Sequence, residues 1–179
     1  MRVKTIEVDA GIITNCYLII KDNTCLIVDP GAQEDKIINE IGSLKPLAIL
    51  ITHHHFDHIG AVSSLKNNYH IPVIDYKDYL NDDKILNINN FDFRIIETKG
   101  HSEDSVSYYF FKDKVLFSGD FIFLEDIGRC DLKGGDFNKM QGSLRKLLEL
   151  PEEIKIYPGH EEETTLAHEK KYNEYLQNI

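Results

Sequence analysis

The segment ITHHHFDHIG, residues 51–60, holds four histidines and one aspartate within six positions, 53–58. Imidazole nitrogens and carboxylate oxygens are ligands that zinc and other transition metals take in proteins. Imidazoles crowded beside an aspartate, with no cation to bind them, would cost several kcal/mol as buried polar groups without partners. The segment therefore predicts a metal site.

The spacing within this segment divides its histidines. His53 and His55 are two residues apart after the apolar run LAILIT (47–52), so their side chains can point the same way. His54 then points elsewhere, and we predict that it is not a ligand. Asp57 and His58 follow at once, at the start of a helical pattern, and add a carboxylate and a third imidazole to the same volume.

Three further candidate ligands lie far along the chain, each after a predicted strand and each beside a glycine: His101 in TKGHS, Asp120 in FSGDF and His160 in YPGHE. Strand ends at one edge of a sheet converge, and the glycines permit sharp turns there. Seven donors exceed the needs of one tetrahedral zinc. They suit two metal ions about 3.5–4 Å apart, bridged by Asp120 and a hydroxide.

The elements that must position these residues alternate between strands and helices. Residues 15–31 and 105–120 share one layout, in which two apolar strands flank a short polar turn and an aspartate stands at the end. Further strands are predicted at 47–52, 91–96 and 154–157. One helix is predicted on the apolar stripe of Ile37, Ile38, Ile41 and Leu44, which is ended by Gly42 and Pro46. Two more are predicted from the N-cap Asp136 to about 148 and from Glu161 to about Gln177. The pattern indicates an α/β protein with helices outside two mixed sheets.

Composition limits the possible partners. The chain has 179 residues, 42% of them hydrophobic, which suits one domain over 1–179. A net charge of −10 argues against nucleic acid as a partner. No segment approaches the roughly 20 apolar residues that span a bilayer, and no signal peptide is visible, so we expect no membrane association and a cytoplasmic location. Three cysteines without C-x-x-C spacing indicate neither a disulfide framework nor a structural zinc site. The oligomeric state stays open.

Four motifs in order carry a family resemblance. The pattern T-H-x-H-x-D-H from Thr52 to His58, followed by G-H-S, S-G-D and Y-P-G-H, resembles the metallo-β-lactamase-fold hydrolases. The resemblance implies a four-layer αββα sandwich carrying two divalent metal ions, zinc first, with iron or manganese as alternatives. The implied ligands are His53, His55 and His101 on one ion, Asp57, His58 and His160 on the other, and Asp120 between them.

Two further stretches, IGRCDLKGGDFNKMQGSL and YPGHEEETTLAHEKKYN, resemble the glyoxalase II-like branch of that family. The resemblance implies hydrolysis of a small thioester substrate such as S-lactoylglutathione, with Asp57 and Asp120 as catalytic residues. Asp57 would exchange protons with the attacking water, and Asp120 would act mainly as a bridge. The chain departs from the branch in TKGHSED and FIFLEDIG, and we expect it to lack the helical domain that grips glutathione in full-length relatives.

Several alternatives stay open from the sequence. Persulfide dioxygenases of this fold bind one iron, but their last motif generally reads YPAH where this chain has YPGH. Hydrolysis of lactones or other esters is a third possibility. β-Lactam hydrolysis is disfavoured because true β-lactamases lack a histidine equivalent to His58. An inert metal-binding domain and an RNA-cleaving enzyme are also less favoured, the latter because no basic surface is visible.

Three residues near the motifs cannot be given a single role from the sequence. Asp29, in the DPG turn, is predicted either to hydrogen-bond a ligand histidine or only to organise the turn. Arg129 is predicted either to meet a substrate carboxylate or to pair with a nearby aspartate. Cys130 has no assigned role.

Overall fold

The strands of this protein form two sheets and one short hairpin. The computed structural model describes residues 1–179. The first sheet contains β1 (Arg2–Asp9), β2 (Ile13–Lys21), β3 (Thr24–Val28), β4 (Lys45–Leu50) and β5 (Val73–Ile74), in that order. Antiparallel pairing joins β1, β2 and β3, and parallel pairing joins β3, β4 and β5.

The second sheet is built from the later part of the chain. Its strands are β6 (Ile85–Ile88), β7 (Phe91–Glu97), β8 (Val106–Phe110), β9 (Val115–Gly119), β12 (Lys155–Pro158) and β13 (Thr164–Thr165). They lie in the order β13-β12-β9-β8-β7-β6, and only β12 and β9 pair in parallel. Between β9 and β12 the chain forms a separate hairpin from β10 (Ile122–Phe123) and β11 (Asp126–Ile127).

Helices cover the outer faces of both sheets. They are α1 (Glu34–Ile41), α2 (Phe56–Ile59), α3 (Val62–Tyr69), α4 (Phe137–Leu148), α5 (Leu166–Tyr172) and α6 (Glu174–Gln177), with a 3₁₀ turn at Tyr76–Asp78. None of the six helices combines the length and the apolar character that crossing a bilayer requires.

Three buried clusters separate four layers. The central cluster of 15 residues fills the space between the sheets and is rich in aromatic rings, such as Phe93, Tyr108 and Phe117. A second cluster packs α1 and α3 on the first sheet, and a third packs α4 and α5 on the second sheet. The predicted αββα sandwich of two mixed sheets with flanking helices is confirmed.

Local sequence signals placed two helix ends correctly. The helix predicted on the stripe from Ile37 to Leu44 is α1, which begins earlier, at Glu34, and ends at Gly42, where φ is 55°. Asp136 caps α4 as predicted, because its carboxylate accepts hydrogen bonds from the backbone N–H groups of Asn138 and Lys139.

The prediction of one continuous helix from Glu161 to about Gln177 was wrong. Thr164 and Thr165 instead pair with Lys155 and Ile156 as an edge strand. The helix begins only after Thr165, whose hydroxyl accepts from the backbone N–H of His168. It breaks at Asn173, whose side chain caps α6. The mixed charges of this segment suited a helix, but sheet pairing and two capping side chains override that pattern.

Candidate metal centre

All seven predicted donors converge at one edge of the two sheets. His53 and His55 follow β4, and Asp57 and His58 lie on the short helix α2. The other three follow strands of the second sheet: His101 follows β7, Asp120 follows β9 and His160 follows β12. The parallel pair β9 and β12 brings Asp120 and His160 to the same edge.

The first group of donors consists of His53, His55, His101 and Asp120, whose ligand atoms all lie within 4.8 Å of one another. Nδ1 of His55 is 3.1 Å from Nε2 of His53 and 2.9 Å from Nε2 of His101. Oδ2 of Asp120 is 3.4 Å from Nε2 of His101. A tetrahedral zinc with bonds of about 2.0 Å separates its ligand nitrogens by about 3.3 Å, so this group has nearly the spacing that such an ion requires.

The second group consists of Asp57, His58 and His160. Oδ2 of Asp57 is 3.5 Å from Nε2 of His58 and 3.4 Å from Nε2 of His160. Asp120 also reaches this group: its Oδ1 is 3.3 Å from Nε2 of His58 and its Oδ2 is 3.3 Å from Nε2 of His160. Asp120 therefore lies between the two groups, in the position of a bridging ligand.

Two buried atoms show that the site suits cations. Nε2 of His58 and Oδ1 of Asp120 are 3.3 Å apart, yet neither has a hydrogen-bond partner. Buried polar atoms are normally paired, and an orphan pair of a nitrogen and a carboxylate oxygen calls for a ligand. Imidazoles and carboxylates are donors suited to zinc, iron or manganese, so the residues present fit the metal ions that the motifs imply.

Hydrogen bonds on the far side of the rings orient four of the ligands. Nδ1 of His58 lies 3.0 Å from Oδ2 of Asp29, and Nδ1 of His101 lies 2.8 Å from the carbonyl oxygen of Arg129. Nδ1 of His160 lies 2.6 Å from the carbonyl oxygen of Ile13. Because carbonyl and carboxylate oxygens only accept, these contacts place the proton on Nδ1 and leave Nε2 to bind a cation.

His53 is held in the same tautomer by a longer chain of hydrogen bonds. Its Nδ1 is 3.1 Å from the hydroxyl oxygen of Thr52, and that hydroxyl donates to Oδ2 of Asp29 at 2.5 Å. The other oxygen of Asp29 accepts from the backbone N–H of Thr52. Asp29 thus supports a ligand histidine in each donor group, which confirms the first of its two predicted roles.

Burial and charge shift the pKa values in opposite directions within the site. Burial and the neighbouring His58 hold the pKa of His53 well below its usual range. Burial alone would also lower the pKa values of His58 and His160, but nearby carboxylates outweigh it and raise both to about 10. Burial would raise the pKa of Asp120, but His160 and His58 lower it well below its usual value. A carboxylate between basic imidazoles is therefore ionised at neutral pH and ready to bind a cation.

Two glycines make this close packing possible. A Cβ atom at Gly159 would lie 2.3 Å from Oδ1 of Asp120 and 2.7 Å from Cε1 of His58. Gly119 has a φ of 54°, and a Cβ atom there would lie 2.3 Å from the hydroxyl of Thr52. A side chain at either position would push apart residues that join the two donor groups.

His54 lies outside the centre, as predicted, and so do His70 and His168. His54 points away and contacts Asp104 through Nδ1 at 2.6 Å and Asp75 through Nε2 at 3.4 Å. His70 is exposed at the C-terminal end of α3, and His168 contacts Glu125 on the surface.

The structure also decides the interpretation of Arg129 and shows the surroundings of the cysteines. Arg129 donates from Nε and Nη2 to the two carboxylate oxygens of Asp131, each at 2.7 Å, so it pairs with a nearby aspartate. The thiol of Cys130 is half-buried and donates to the carbonyl of Gly128. Cys16 and Cys25 are fully buried within the hydrophobic cluster between the first sheet and its helices.

Sequence reasoning missed the contribution of β2. The hydroxyl of Thr14 donates to Oδ2 of Asp57 at 3.0 Å, and the carbonyl of Ile13 orients His160. Neither residue belongs to a donor motif. A backbone carbonyl carries no side-chain signal at all, so only the folded chain shows this contribution.

Comparison with known proteins supports the same interpretation. Residues 10–81 and 80–160 match the family model described as Metallo-beta-lactamase superfamily. The chain is 39% identical to the probable metallo-hydrolase YqgX of Bacillus subtilis, over 90% of this chain and 92% of that protein. It is 30% identical to the hydroxyacylglutathione hydrolase GloC of Haemophilus influenzae, again over 90% of this chain and 92% of that protein.

Two solved structures are similar over nearly the whole chain. The B3 metallo-beta-lactamase BLEG-1 superposes with a TM-score of 0.91 at 36% identity, covering 98% of this chain and 99% of the other. TTHA1623, solved in a di-iron-bound form, gives a TM-score of 0.85 at 30% identity, covering 97% of this chain and 100% of the other.

Proposed function

This chain belongs to the metallo-β-lactamase superfamily as a metal-dependent hydrolase, and we propose that it is a dinuclear enzyme that cleaves small acyl thioesters, the chemical class that includes S-lactoylglutathione. One observation carries the dinuclear part of the proposal. Asp120 contacts both donor groups at once, with Oδ2 3.4 Å from His101 and 3.3 Å from His160. A site for a single structural zinc has no need of such a carboxylate.

The residues divide into two sets of ligands that share Asp120. His53, His55 and His101 would hold one cation, and Asp57, His58 and His160 would hold the other. When bound, such cations acidify water and polarise an acyl carbonyl. Zinc is the first candidate, and the di-iron form of TTHA1623 supports iron as the second.

Asp57 is the proposed proton carrier of the reaction. Its carboxylate borders the open cavity beside the centre and is oriented by the hydroxyl of Thr14. In the proposed step, water oxygen forms a bond to the carbonyl carbon and gives its proton to Asp57. The carbon–sulfur bond then breaks, and the departing thiolate takes that proton, so the products are a carboxylic acid and a thiol.

Gly159 favours the hydrolase over a mononuclear iron dioxygenase. The alanine of YPAH would place a Cβ atom 2.3 Å from Oδ1 of Asp120, on the side facing His58. Glycine at this position keeps the second donor group in contact with the bridging carboxylate. The sequence difference between YPGH and YPAH thus has a steric consequence at the centre.

Hydrolysis of β-lactams is the second candidate function. The observation that favours it is the similarity to BLEG-1, at 36% identity over 98% of this chain. In the sequence only His58 disfavours β-lactams, a single residue against a similarity that covers nearly the whole chain.

The test combines metal analysis with a panel of substrates. Purified protein is analysed for its elements, loaded with zinc or iron, and assayed on S-lactoylglutathione, simpler acyl thioesters, a lactone, a β-lactam and a persulfide with oxygen measurement. We expect about two metal ions per chain and fastest hydrolysis of a thioester. One iron per chain with oxygen consumption on the persulfide, or inactivity of the fully metallated protein on every thioester, would overturn the proposal.

A further inference from the structure

A cavity of about 510 Å³ opens beside the metal centre, and its outer wall is apolar. Asp57, His101, Asp120 and His160 border the cavity on the inner side. The outer wall carries five large hydrophobic side chains: Ile12, Phe56, Phe123, Ile127 and Leu132. Phe56 is 62% exposed and Ile12 is 50% exposed, although burying such side chains is favourable. Exposed apolar groups gathered around a reactive centre indicate that a ligand covers them.

The wall is held in place from behind. Phe123 and Ile127 lie on the β10–β11 hairpin, which is tied to α5 through the buried carboxylate of Glu169. That carboxylate accepts from the backbone N–H of Glu125 and from Nδ2 of Asn173. Nδ2 of Asn173 also donates to the carbonyl of Asp126. The apolar surface is therefore fixed by the fold.

The charges around the cavity are unsuited to an anion. Arg129 is the only lysine or arginine that lines it, and both oxygens of Asp131 already accept from its guanidinium at 2.7 Å. The other charged residues of the outer wall, Asp126 and Glu161, are both exposed acids. A carboxylate held against the outer wall, away from the metal centre, would meet two like charges, and the one guanidinium there is already paired.

We propose that the acyl or thiol group of the substrate that lies against the outer wall is apolar. The enzyme disfavours substrates that carry a carboxylate in that group. This inference rests on the proposed function, and it narrows the substrates to thioesters with uncharged, apolar groups. Glutathione and β-lactams both carry carboxylates, so the wall disfavours S-lactoylglutathione and β-lactams alike.

The test uses matched thioesters and the metal-loaded protein. One series pairs an acetyl group with butanethiol or with 3-mercaptopropionate. A second series pairs 2-mercaptoethanol with a butanoyl or a succinyl group, so that each half of the substrate is tested. Each kcat/KM is normalised to the rate of hydrolysis by hydroxide. We expect the uncharged member to exceed the carboxylate by at least about tenfold in one series or both.

A substitution sharpens the test. Asp131→Asn removes the partner of Arg129 and frees the guanidinium for an anion, so the preference for the uncharged ester should fall by about fivefold. Asp92→Asn makes the same change in charge at the start of β7, where Asp92 accepts from Lys112, and should leave the preference as it is.

The outcomes separate this inference from the proposed function. If no thioester is hydrolysed, the proposed function fails, and the inference is then decided by calorimetric binding of the matching ketones, in which a methylene replaces sulfur. If thioesters are hydrolysed but the carboxylate members react as well as the uncharged ones in both series, only the inference fails. If Asp131→Asn and Asp92→Asn lost the preference for the uncharged thioester equally, the release of Arg129 from its partner could not be the cause of that loss.

Discussion

The metal centre and the outer wall of its cavity lie side by side but are built by different means. His58 is completely buried, and its Nδ1 is fixed by Asp29, a residue that also supports His53 through Thr52. Phe56, only two residues earlier, is 62% exposed and points into the cavity wall. The helix α2 thus presents one residue to the buried centre and another to solvent.

The buried centre therefore carries the chemistry, and the exposed wall governs the choice of substrate. Each ligand depends on partners within the core, so a change there disturbs the rest of the centre. Phe56 and Ile12 of the wall are largely exposed, so they can change without disturbing the ligands. We therefore expect substitutions in the centre to alter metal binding and those in the wall to alter only the choice of substrate.

The largest effect is expected from Asp120→Ala. The substitution removes the one carboxylate shared by both donor groups, so at least one ion should be lost. Loss of a residue that only orients a metal ligand typically lowers metal affinity or activity by about 10–100-fold. Loss of a shared ligand should therefore lower activity by more than about 100-fold. Elemental analysis and thioester assays measure both effects. Asp126→Ala, in the wall, is the control and should keep its metal ions. Asp120→Ala protein that retained two ions and normal turnover would refute the bridging role.

A smaller effect is expected from Asp29→Asn. The amide keeps an oxygen for the N–H of Thr52 but offers an N–H where Nδ1 of His58 needs an acceptor. Metal affinity should fall by about 10–100-fold, as for other losses of this kind. Competition with a chelator measures the affinity.

Asp22→Asn provides a matched control for this prediction. Asp22 also has a positive φ and accepts from a side chain, Nδ2 of Asn90, but it lies in the β2–β3 turn away from the centre. Equal affinities for the two variants would show that Asp29 only organises its turn.

The smallest effect is expected on stability in Asp131→Asn. Hydrogen bonding to Arg129 lowers the pKa of Asp131 to about 2, below an unfolded value of about 3.9. Any stabilisation is therefore present above the unfolded value and is lost as the pH falls through about 2. Because the pair is exposed, water screens it, and the melting temperature at pH 7 should not change.

Thermal melts at pH 7 and pH 2 test this expectation. A clear fall in melting temperature at pH 7 would show that this part of the wall supports the fold, and the contrast between wall and centre would then be lost.

Much of the fold could be predicted from the sequence because its turns and helix ends depend on residues that are close together in the chain. The apolar runs around the Asp22-Asn23 turn, the Asp136 cap and the Gly42 stop all act within a few residues of their position. The final helix was predicted wrongly because pairing of Thr164 with Ile156 is a contact between separate segments, which charge patterns do not reveal.

The convergence of the candidate donors could also be predicted from the sequence. The types of its seven donors, the alternation that sets His54 apart and the family motifs were enough to name the whole donor set, and the structure brings all seven residues together. Only a few residue types can bind such metal ions, so candidate ligands can be recognised from the identity of single residues.

The amino-acid sequence by itself determined which side chains could bind cations and which face of each strand and helix is apolar. Only the tertiary structure decided that Ile13 orients His160 through a backbone carbonyl and that Arg129 is paired with Asp131. These contacts depend on where separate segments meet and on where each side chain finds a partner. Residue type specifies what a group can bind, but the packing of the whole chain sets which groups come within reach.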